Sequence, residues 1–235
     1  MSISTLRNNY KKIKVLVHQL GIGNTCLYLV SAIGNRLGFS SIFTKYYFVA
    51  QQLEACKLLP LGKGKGIQIR EIEPQQIELH PCPRPLSVIA DRYNQGGVCL
   101  AAYKQEAFTG CLWFVKNQYK EDEVRCAYVL PDFSVWDFDV YVDPNYRMSM
   151  AFLKLWESAS FRLVDEGYHW SLSRISAFNP NSLSSHKRMG ARIIGWAVFV
   201  KMGGTQLAIS SIKPFVHFSC SELTWPVFKF NLPKI

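Results

Sequence analysis

The chain lacks the short motifs that are typical of a metal site, a redox thiol pair or a phosphate-binding loop. None of its seven Cys residues forms a Cys-x-x-Cys pair, and there is no His-Glu-x-x-His motif. Residues 61–66 contain three Gly but not the Gly-Lys-Ser/Thr ending of a phosphate loop, so they are interpreted as a flexible linker. No cleavable signal peptide is visible. We therefore expect no metal, reduced and mostly buried thiols, and a cytoplasmic location.

Acidic residues are scarce in the first part of the chain. Residues 1–66 contain nine Lys or Arg but one acidic residue, Glu54, so most of the net charge of +10 belongs to this segment. An anionic lipid surface, an acidic protein or nucleic acid would each suit such a charge. Nucleic acid is not expected, because no recognisable reading motif accompanies the basic residues. The remainder is almost neutral, and an apolar content of 49% predicts a folded core.

Residues 1–66 are predicted to form a basic, amphipathic, helical extension that ends in the linker. Apolar residues recur at helical spacing over residues 6–20, a second helix is expected from Asn24, and a third from residue 41 to residue 59. Residues 15–35 contain no Asp, Glu, Lys or Arg, but polar residues, including His18, and Gly interrupt them. A membrane-spanning helix, a unit of residues 1–60 that is peripheral at the inner face of an anionic membrane, packing onto the body, and a dimer contact all remain open.

Residues 67–212 are predicted to form one compact domain. Its expected order is a strand at residues 67–72, an irregular or helical stretch, three strands within residues 98–130 and a strand at residues 135–142. A long helix follows over residues 146–166, and then strand, short helix and two strands up to residue 212. Residues 213–235 are predicted to be an aromatic tail that packs on this domain.

The most informative segment is the short helix that follows the predicted strand at residues 169–177. Asn179 and Ser182 can each begin a helix, because their side-chain oxygens accept backbone N–H hydrogen bonds of the first turn. Gly190 is placed to end this helix, and a second apolar run starts at Ile193.

The spacing of Asn179, Ser182, His186, Gly190 and Ala191 resembles the closing half of the GNAT acyltransferase fold, and the element order agrees. The resemblance implies an α+β protein with a mixed, mostly antiparallel sheet flanked by helices, to which this chain adds the N-terminal helical extension. It also implies that strands 135–142 and 169–177 run parallel and diverge at their ends.

The resemblance places the acyl-donor site at the start of the long helix. In the family, a Val-x-Pro junction precedes backbone amides that bind the pyrophosphate of acyl-coenzyme A, and Val142-Asp143-Pro144 resembles that junction. The residues expected to bind the donor are Arg147, Met148, Ser149, Met150, Ala151, Asn179 and Ser182. Met150 and Phe152 stand where the family has Gly or Ala, and their side chains restrict access of the phosphates. This departure points to an altered donor, such as an acyl carrier protein, or to a lost activity.

Three residues are candidates for proton transfer. His186 stands where the family has a Tyr that protonates the leaving thiolate, and the alternative is a solvated helix residue. Asp137 and Asp139 are predicted to share one face of a strand, opposite the aromatic side chains. Either would then deprotonate an amine through water, and their mutual repulsion would raise one pKa.

The acceptor is expected near the next strand and the preceding acidic turn. Ser173 and Arg174 are candidate substrate contacts, although Arg174 would equally suit a structural ion pair with Asp137 or Asp139. Glu123 belongs to an acidic turn that is either solvated or attracts a cationic amine.

Together, these features predict an N-acyltransferase that moves an acetyl or longer acyl group from a coenzyme A or carrier-protein thioester to an amine. Direct attack by the amine requires no acyl-enzyme, so no nucleophilic Cys or Ser signature is needed. The alternative is a non-catalytic module of the same fold, tethered by its basic extension to a membrane surface or an acidic partner.

Overall fold

The structure is a computed structural model, and it describes residues 3–36, 43–75, 80–146, 150–221 and 223–233. Within helices, only the backbone is described for residues 3–9 and 35.

The described residues form five helices and twelve strands. The helices are α1 (Ile3–Leu20), α2 (Ile22–Arg36), α3 (Leu86–Asn94), α4 (Ala151–Asp165) and α5 (Pro180–Arg188). The first six strands are β1 (Phe43–Gln52), β2 (Ile67–Ile72), β3 (Val98–Lys104), β4 (Ala107–Lys116), β5 (Gln118–Lys120) and β6 (Ala127–Val129). The others are β7 (Ser134–Val142), β8 (Trp170–Ser176), β9 (Arg192–Met202), β10 (Thr205–Ser210), β11 (Val216–Ser219) and β12 (Val227–Lys229). The predicted α+β class with a mostly antiparallel sheet is confirmed.

The chain divides into two compact units, and each is described separately. The first unit comprises Met1–Val49, Glu123–Cys126 and Arg174–Phe228. The second comprises Ala50–Asp122, Ala127–Ser173 and Lys229–Ile235. This division does not follow the predicted linker at residues 61–66, which lies inside the second unit.

The second unit contains the sheet on which most candidate residues lie. Antiparallel ladders join β2 to β3, β3 to β4 and β4 to β7. The predicted parallel pairing of β7 with β8 is present: it runs from Ser134 opposite Trp170 to Asp137 opposite Ser173. The ladder ends at that pair, whereas β7 itself continues to Val142. Helix α4 connects these two strands and packs against β2, β3, β4 and β7.

The predicted third helix at residues 41–59 is wrong, because Phe43–Gln52 forms strand β1. This segment is rich in aromatic residues, which pack well on a pleated surface and favour strands. In the first unit, the Ala177 N–H group donates to the Lys45 carbonyl at 2.8 Å, which ties the start of β1 to the end of β8. Lys45 Nζ also donates to Asn24 Oδ1 at 2.9 Å, so helix α2 is held onto β1.

Aromatic residues of the C-terminal segment are buried within each unit. In the first unit, Phe228 lies 5.5 Å from Phe48 between ring centroids. In the second, Phe230 lies 5.5 Å from Trp136 by the same measure. The hydrophobic effect therefore attaches this segment to the fold at more than one point.

In the described part of the chain, none of the helices has both the length and the apolar character that crossing a membrane requires.

Candidate functional site

A β-bulge in β7 separates the two candidate carboxylates. Asp137 is the register partner of Phe114, whereas Asp139 is the partner of Trp113, so Phe138 is one residue in excess of the β4 ladder. Cross-strand partners share a face and neighbouring residues alternate, so Asp137 and Asp139 lie on opposite faces of the sheet. The prediction that they share one face is wrong, because strict alternation does not hold across a bulge.

Asp137 is buried, and serine hydroxyls of the parallel strand hold it. Its side chain is 4% exposed, and Ser171 Oγ donates to Asp137 Oδ2 at 2.7 Å. Burial raises the pKa of Asp137 to about 7, even though hydrogen bonds from Ser171 and Ser173 favour the charged form. Desolvation, and not repulsion from Asp139, is therefore the cause of the raised pKa. A carboxyl with this pKa is close to half ionised at neutral pH, which suits a general base.

Asp139 lies instead in a cluster of ion pairs. Arg84 donates to both of its carboxylate oxygens at 2.8 and 2.9 Å, and Arg92 donates to Oδ2 at 2.8 Å. Arg92 also reaches Asp122 at 2.8 Å. Burial alone would raise the pKa of Asp139, but the two guanidinium groups outweigh it and lower this pKa. Asp139 is therefore an anion that accepts hydrogen bonds from two guanidinium groups, and its catalytic role stays a prediction.

An open, cationic cleft lies at the beginning of α4. It has a volume of about 390 Å³, and its lining consists of Pro60, Lys63, Gly64, Gly66, Ile67, Lys104 and Met150. Met150 occupies the N-cap position of α4, where its side chain makes no capping hydrogen bond. The residues interpreted only as a linker thus contribute Lys63 and two glycines to this cleft. The predicted donor contacts Arg147, Met148 and Ser149 lie outside the described residues.

Helix α5 starts as the sequence predicts, but its histidine is placed differently. Asn179 caps the helix, because its Oδ1 accepts the Ser182 N–H group at 3.1 Å. His186 is 6% exposed, and burial lowers its pKa to about 4. The solvated alternative is therefore wrong, whereas the role of His186 in proton transfer stays a prediction, with a pKa that favours the neutral ring. The periodicity of this short polar helix gave no signal that His186 faces inward.

Arg174 and Glu123 lie together in the first unit. Arg174 Nη2 is 3.3 Å from Glu123 Oε2, and its guanidinium lies 4.4 Å from the centre of the Tyr46 ring. The Tyr46 hydroxyl donates to the same carboxylate oxygen of Glu123 at 2.7 Å. The described ion pair of Arg174 is thus with Glu123 and not with Asp137 or Asp139. Arg174 and Glu123 both remain predicted substrate contacts. The Glu123 side chain is 57% exposed, so a substrate can reach it.

A group of sulfur and imidazole ligands, which the sequence did not reveal, lies in the core of the second unit. We call His80, Cys82, Cys99 and Cys111 the cysteine cluster. Cys82 and Cys111 form a disulfide, which corrects the expectation that all thiols are reduced. The pairing arises because Cys111, in the middle of β4, meets the segment before α3. The one short signal in the sequence is the His80-Pro81-Cys82 pair, since Cys99 and Cys111 lie 17 and 29 residues after Cys82.

Comparison with protein families and with curated proteins gives no match. Among solved structures, a functionally unknown conserved protein from Staphylococcus epidermidis has 11% identity and a TM-score of 0.48, and the match covers 71% of this chain and 63% of that one. This chain thus spans less than two thirds of that protein.

Acetyltransferases are also among the similar structures. A GCN5-related N-acetyltransferase from Sphaerobacter thermophilus has 13% identity and a TM-score of 0.46, with 72% of this chain and 53% of that chain covered. An aminoglycoside acetyltransferase from an uncultured soil metagenomic sample, in complex with sisomicin, has 11% identity and a TM-score of 0.38. The match covers 53% of this chain and 87% of that chain.

Asp137 and His186 should give the free energy of unfolding opposite pH dependences. The pKa of Asp137 is raised in the folded state, so the stability that Asp137 contributes is lost as the pH rises from about 4 to 7. The pKa of His186 is lowered in the folded state, so the stability that His186 contributes is lost as the pH falls from about 6.5 to 4. As the pH rises from about 4 to 7, the free energy of unfolding of Asp137→Asn should therefore increase relative to wild type by roughly 2–4 kcal/mol, at about 1.4 kcal/mol per pKa unit. Relative to wild type, His186→Gln should instead become more stable as the pH falls.

Urea denaturation of the three proteins at a series of pH values measures these differences. Curves that stay parallel from pH 4 to 7 would show that neither residue titrates as its burial requires.

Proposed function

We propose that the protein is an N-acyltransferase that transfers an acyl group from a coenzyme A or carrier-protein thioester to an amine. The observation that carries this proposal is the lysine-lined cleft at the first turn of α4. Its support comes from the order of elements, in which a strand, a Pro-led turn and a long helix lead into the parallel strand β8.

Two features of the cleft suit a polyphosphate ligand. Lys63 and Lys104 supply positive charge, and the beginning of α4 adds the positive end of a helix dipole. Gly66 leaves its backbone open, because nothing lies within 4 Å of the place where a Cβ would be. Met150 and Ile67 add apolar surface to the same cleft, which suits a donor that enters as an extended arm. Coenzyme A and the phosphopantetheine of an acyl carrier protein share that chemistry.

Asp137 is the proposed base. The amine nitrogen attacks the thioester carbonyl carbon, a tetrahedral intermediate forms, and its collapse breaks the carbon–sulfur bond and releases a thiolate. The proton lost by the amine passes to Asp137, directly or through one water molecule. With a pKa of about 7, this carboxylate has the affinity to accept that proton and to release it again.

His186 enters the proposal in its neutral form. With a pKa of about 4, the imidazole is uncharged at neutral pH, so it cannot act as an imidazolium acid toward the thiolate. A neutral ring can still donate one N–H hydrogen bond. We therefore propose that His186 positions or stabilises the leaving group and that the proton comes from solvent.

Removal of the two cleft lysines should weaken donor binding. The double variant Lys63→Ala/Lys104→Ala should raise the dissociation constant for coenzyme A about 5- to 30-fold, which corresponds to roughly 1–2 kcal/mol for two exposed charge contacts. Isothermal titration calorimetry at low salt measures the change. Lys65→Ala is the matched control, because Lys65 lies on the same glycine-rich segment but outside the lining and should leave the affinity unchanged.

The donor proposal fails if the wild type binds neither acetyl-coenzyme A, nor a long-chain acyl-coenzyme A, nor an acyl carrier protein.

Asp137→Asn should lower turnover about 10²–10⁴-fold, as expected for the loss of a general base, and leave donor affinity unchanged. In the wild type, turnover should rise with pH through about 7, because the ionised carboxylate is the active form. Ser171→Ala removes a hydrogen bond that favours the charged form, so it should shift this profile to higher pH. Stopped assays with an amine acceptor at a series of pH values measure the turnover of each variant and its pH profile. A profile that does not change in Ser171→Ala would remove Asp137 from the reaction.

A second candidate function is a non-catalytic module that binds an anionic membrane surface. The observation in its favour is the exposed apolar surface of α1 and α2 beside Lys11, Lys12 and Lys14. Its exposed members are Tyr10, Ile13, Val15, Ile22, Val30 and Ile33. Basic helices with exposed apolar side chains bind at the lipid headgroup region. Among the described residues of 1–60, the large apolar side chains that are exposed lie on α1 and α2, whereas β1 is part of the sheet.

Binding to anionic vesicles should depend on the lysines of α1. The variant Lys11→Ala/Lys12→Ala/Lys14→Ala should lose most co-sedimentation with vesicles that contain phosphatidylserine, at about 1 kcal/mol per basic residue. A control that neutralises Lys57, Lys65 and Lys120, which are equally exposed, should bind as the wild type does. Added salt should weaken wild-type binding. Equal binding of all three proteins to neutral and anionic vesicles would exclude this surface.

A further inference from the structure

We propose that the cysteine cluster, once its disulfide is reduced, is a zinc site with His80, Cys82, Cys99 and Cys111 as ligands. The proposal is independent of acyl transfer, because these residues contribute neither to the donor cleft nor to the surroundings of Asp137.

Three of the four proposed ligand atoms already lie together. One atom each of His80, Cys82 and Cys99 falls within 4.8 Å of the others. The sulfurs of Cys82 and Cys99 are 3.8 Å apart. Two thiolates bound to a tetrahedral zinc at about 2.3 Å each would also be about 3.8 Å apart, so this pair has the spacing of one edge of such a site.

The sheet register supplies the fourth ligand. Cys99 pairs with Trp113 and Ala101 pairs with Cys111, so the side chains of Cys99 and Cys111 lie on the same face of β3 and β4. The disulfide joins Cys111 to Cys82. Its reduction therefore frees two thiols at once and completes a set of three sulfurs and one nitrogen.

A hydrogen bond from the opposite ring nitrogen orients His80 as it would orient a metal-bound histidine. The Tyr93 hydroxyl donates to the Ile72 carbonyl at 2.8 Å, so it accepts the Nε2–H of His80 at 3.1 Å. The lone pair is then on Nδ1, and its 3.3 Å contact with the Cys82 N–H is the bond that a metal would replace. Metal-bound histidines in proteins are oriented by such a partner on the other ring nitrogen.

The surroundings suit a site with a net charge of −1. Its three cysteines are packed among Ile72, Ile89 and Trp113. The Arg92 guanidinium, 5.5 Å from the centre of the Trp113 ring, supplies a nearby positive charge that favours an anionic site.

The chemistry balances with a dithiol as reductant. Two electrons and two protons from the dithiol convert the Cys82–Cys111 disulfide into two thiols, and the dithiol becomes a disulfide. One Zn²⁺ then replaces the protons of the three thiols, which are released to water, while neutral His80 binds without losing a proton.

The test uses the full chain, treated with a dithiol and a chelator without oxygen, mixed with zinc chloride and passed through gel filtration. Elemental analysis should give about one zinc ion per reduced chain and none per oxidised chain. Cys99→Ser should abolish retention, and Tyr93→Phe should weaken the affinity about 10- to 100-fold by removing the support of His80. Cys126→Ser is the matched control, since Cys126 is a buried cysteine that belongs neither to the disulfide nor to the cluster.

Cobalt gives a second readout, because thiolate-to-cobalt charge-transfer absorption reports sulfur ligation directly. That absorption should appear in the reduced wild type and Cys126→Ser and be absent from Cys99→Ser. Circular dichroism establishes that each variant is folded. A folded, reduced wild type that retains no metal would overturn the proposal, and so would equal retention by Cys99→Ser.

Discussion

The parallel pairing of β7 with β8 is the constraint on which the rest of the second unit depends. Parallel strands cannot be joined by a tight turn, so the chain must leave the end of β7, cross the sheet and return. Helix α4 is that crossover, and it places Met150 and the beginning of the helix at the cleft with Lys63 and Lys104. The same pairing brings Ser171 and Ser173 beside Asp137. The proposed donor cleft and the proposed base are thus both consequences of one ladder.

Features that follow from local chemistry could be predicted from the sequence. The Asn179 cap, the α5 helix and the parallel strand pair around α4 were all found where the pattern of apolar residues, capping residues and family resemblance placed them. The error at β1 has a physical cause, since an aromatic run at residues 43–48 supports either a helix or a strand. Tertiary context decided it, because the start of β1 hydrogen-bonds to Ala177, more than a hundred residues away.

Features that depend on burial could not be predicted in this way. The sequence places His186 among Ser185, Lys187 and Arg188, which is typical of a solvated helix, yet the ring is buried and neutral. The cysteine cluster was hidden for a related reason: its members become neighbours only through the β3–β4 register and the disulfide. The pKa of a side chain and the composition of a ligand set depend on the residues that surround them in the folded protein. The sequence pattern shows which residues are present but not which of them become neighbours.

The bulge at Phe138 gives the two carboxylates of β7 different tasks. On one face, Asp139 accepts hydrogen bonds from Arg84 and Arg92, and the Arg92 guanidinium lies 5.5 Å from the centre of the Trp113 ring, beside the cysteine cluster. The described neighbours on that face are ion pairs, aromatic rings and sulfur. On the other face, Asp137 has hydroxyl partners and no described cationic partner, so burial can raise its pKa to about 7. Without the bulge, Asp137 would share the guanidinium groups of Asp139, its pKa would fall, and it would be too weak a base for an amine at neutral pH.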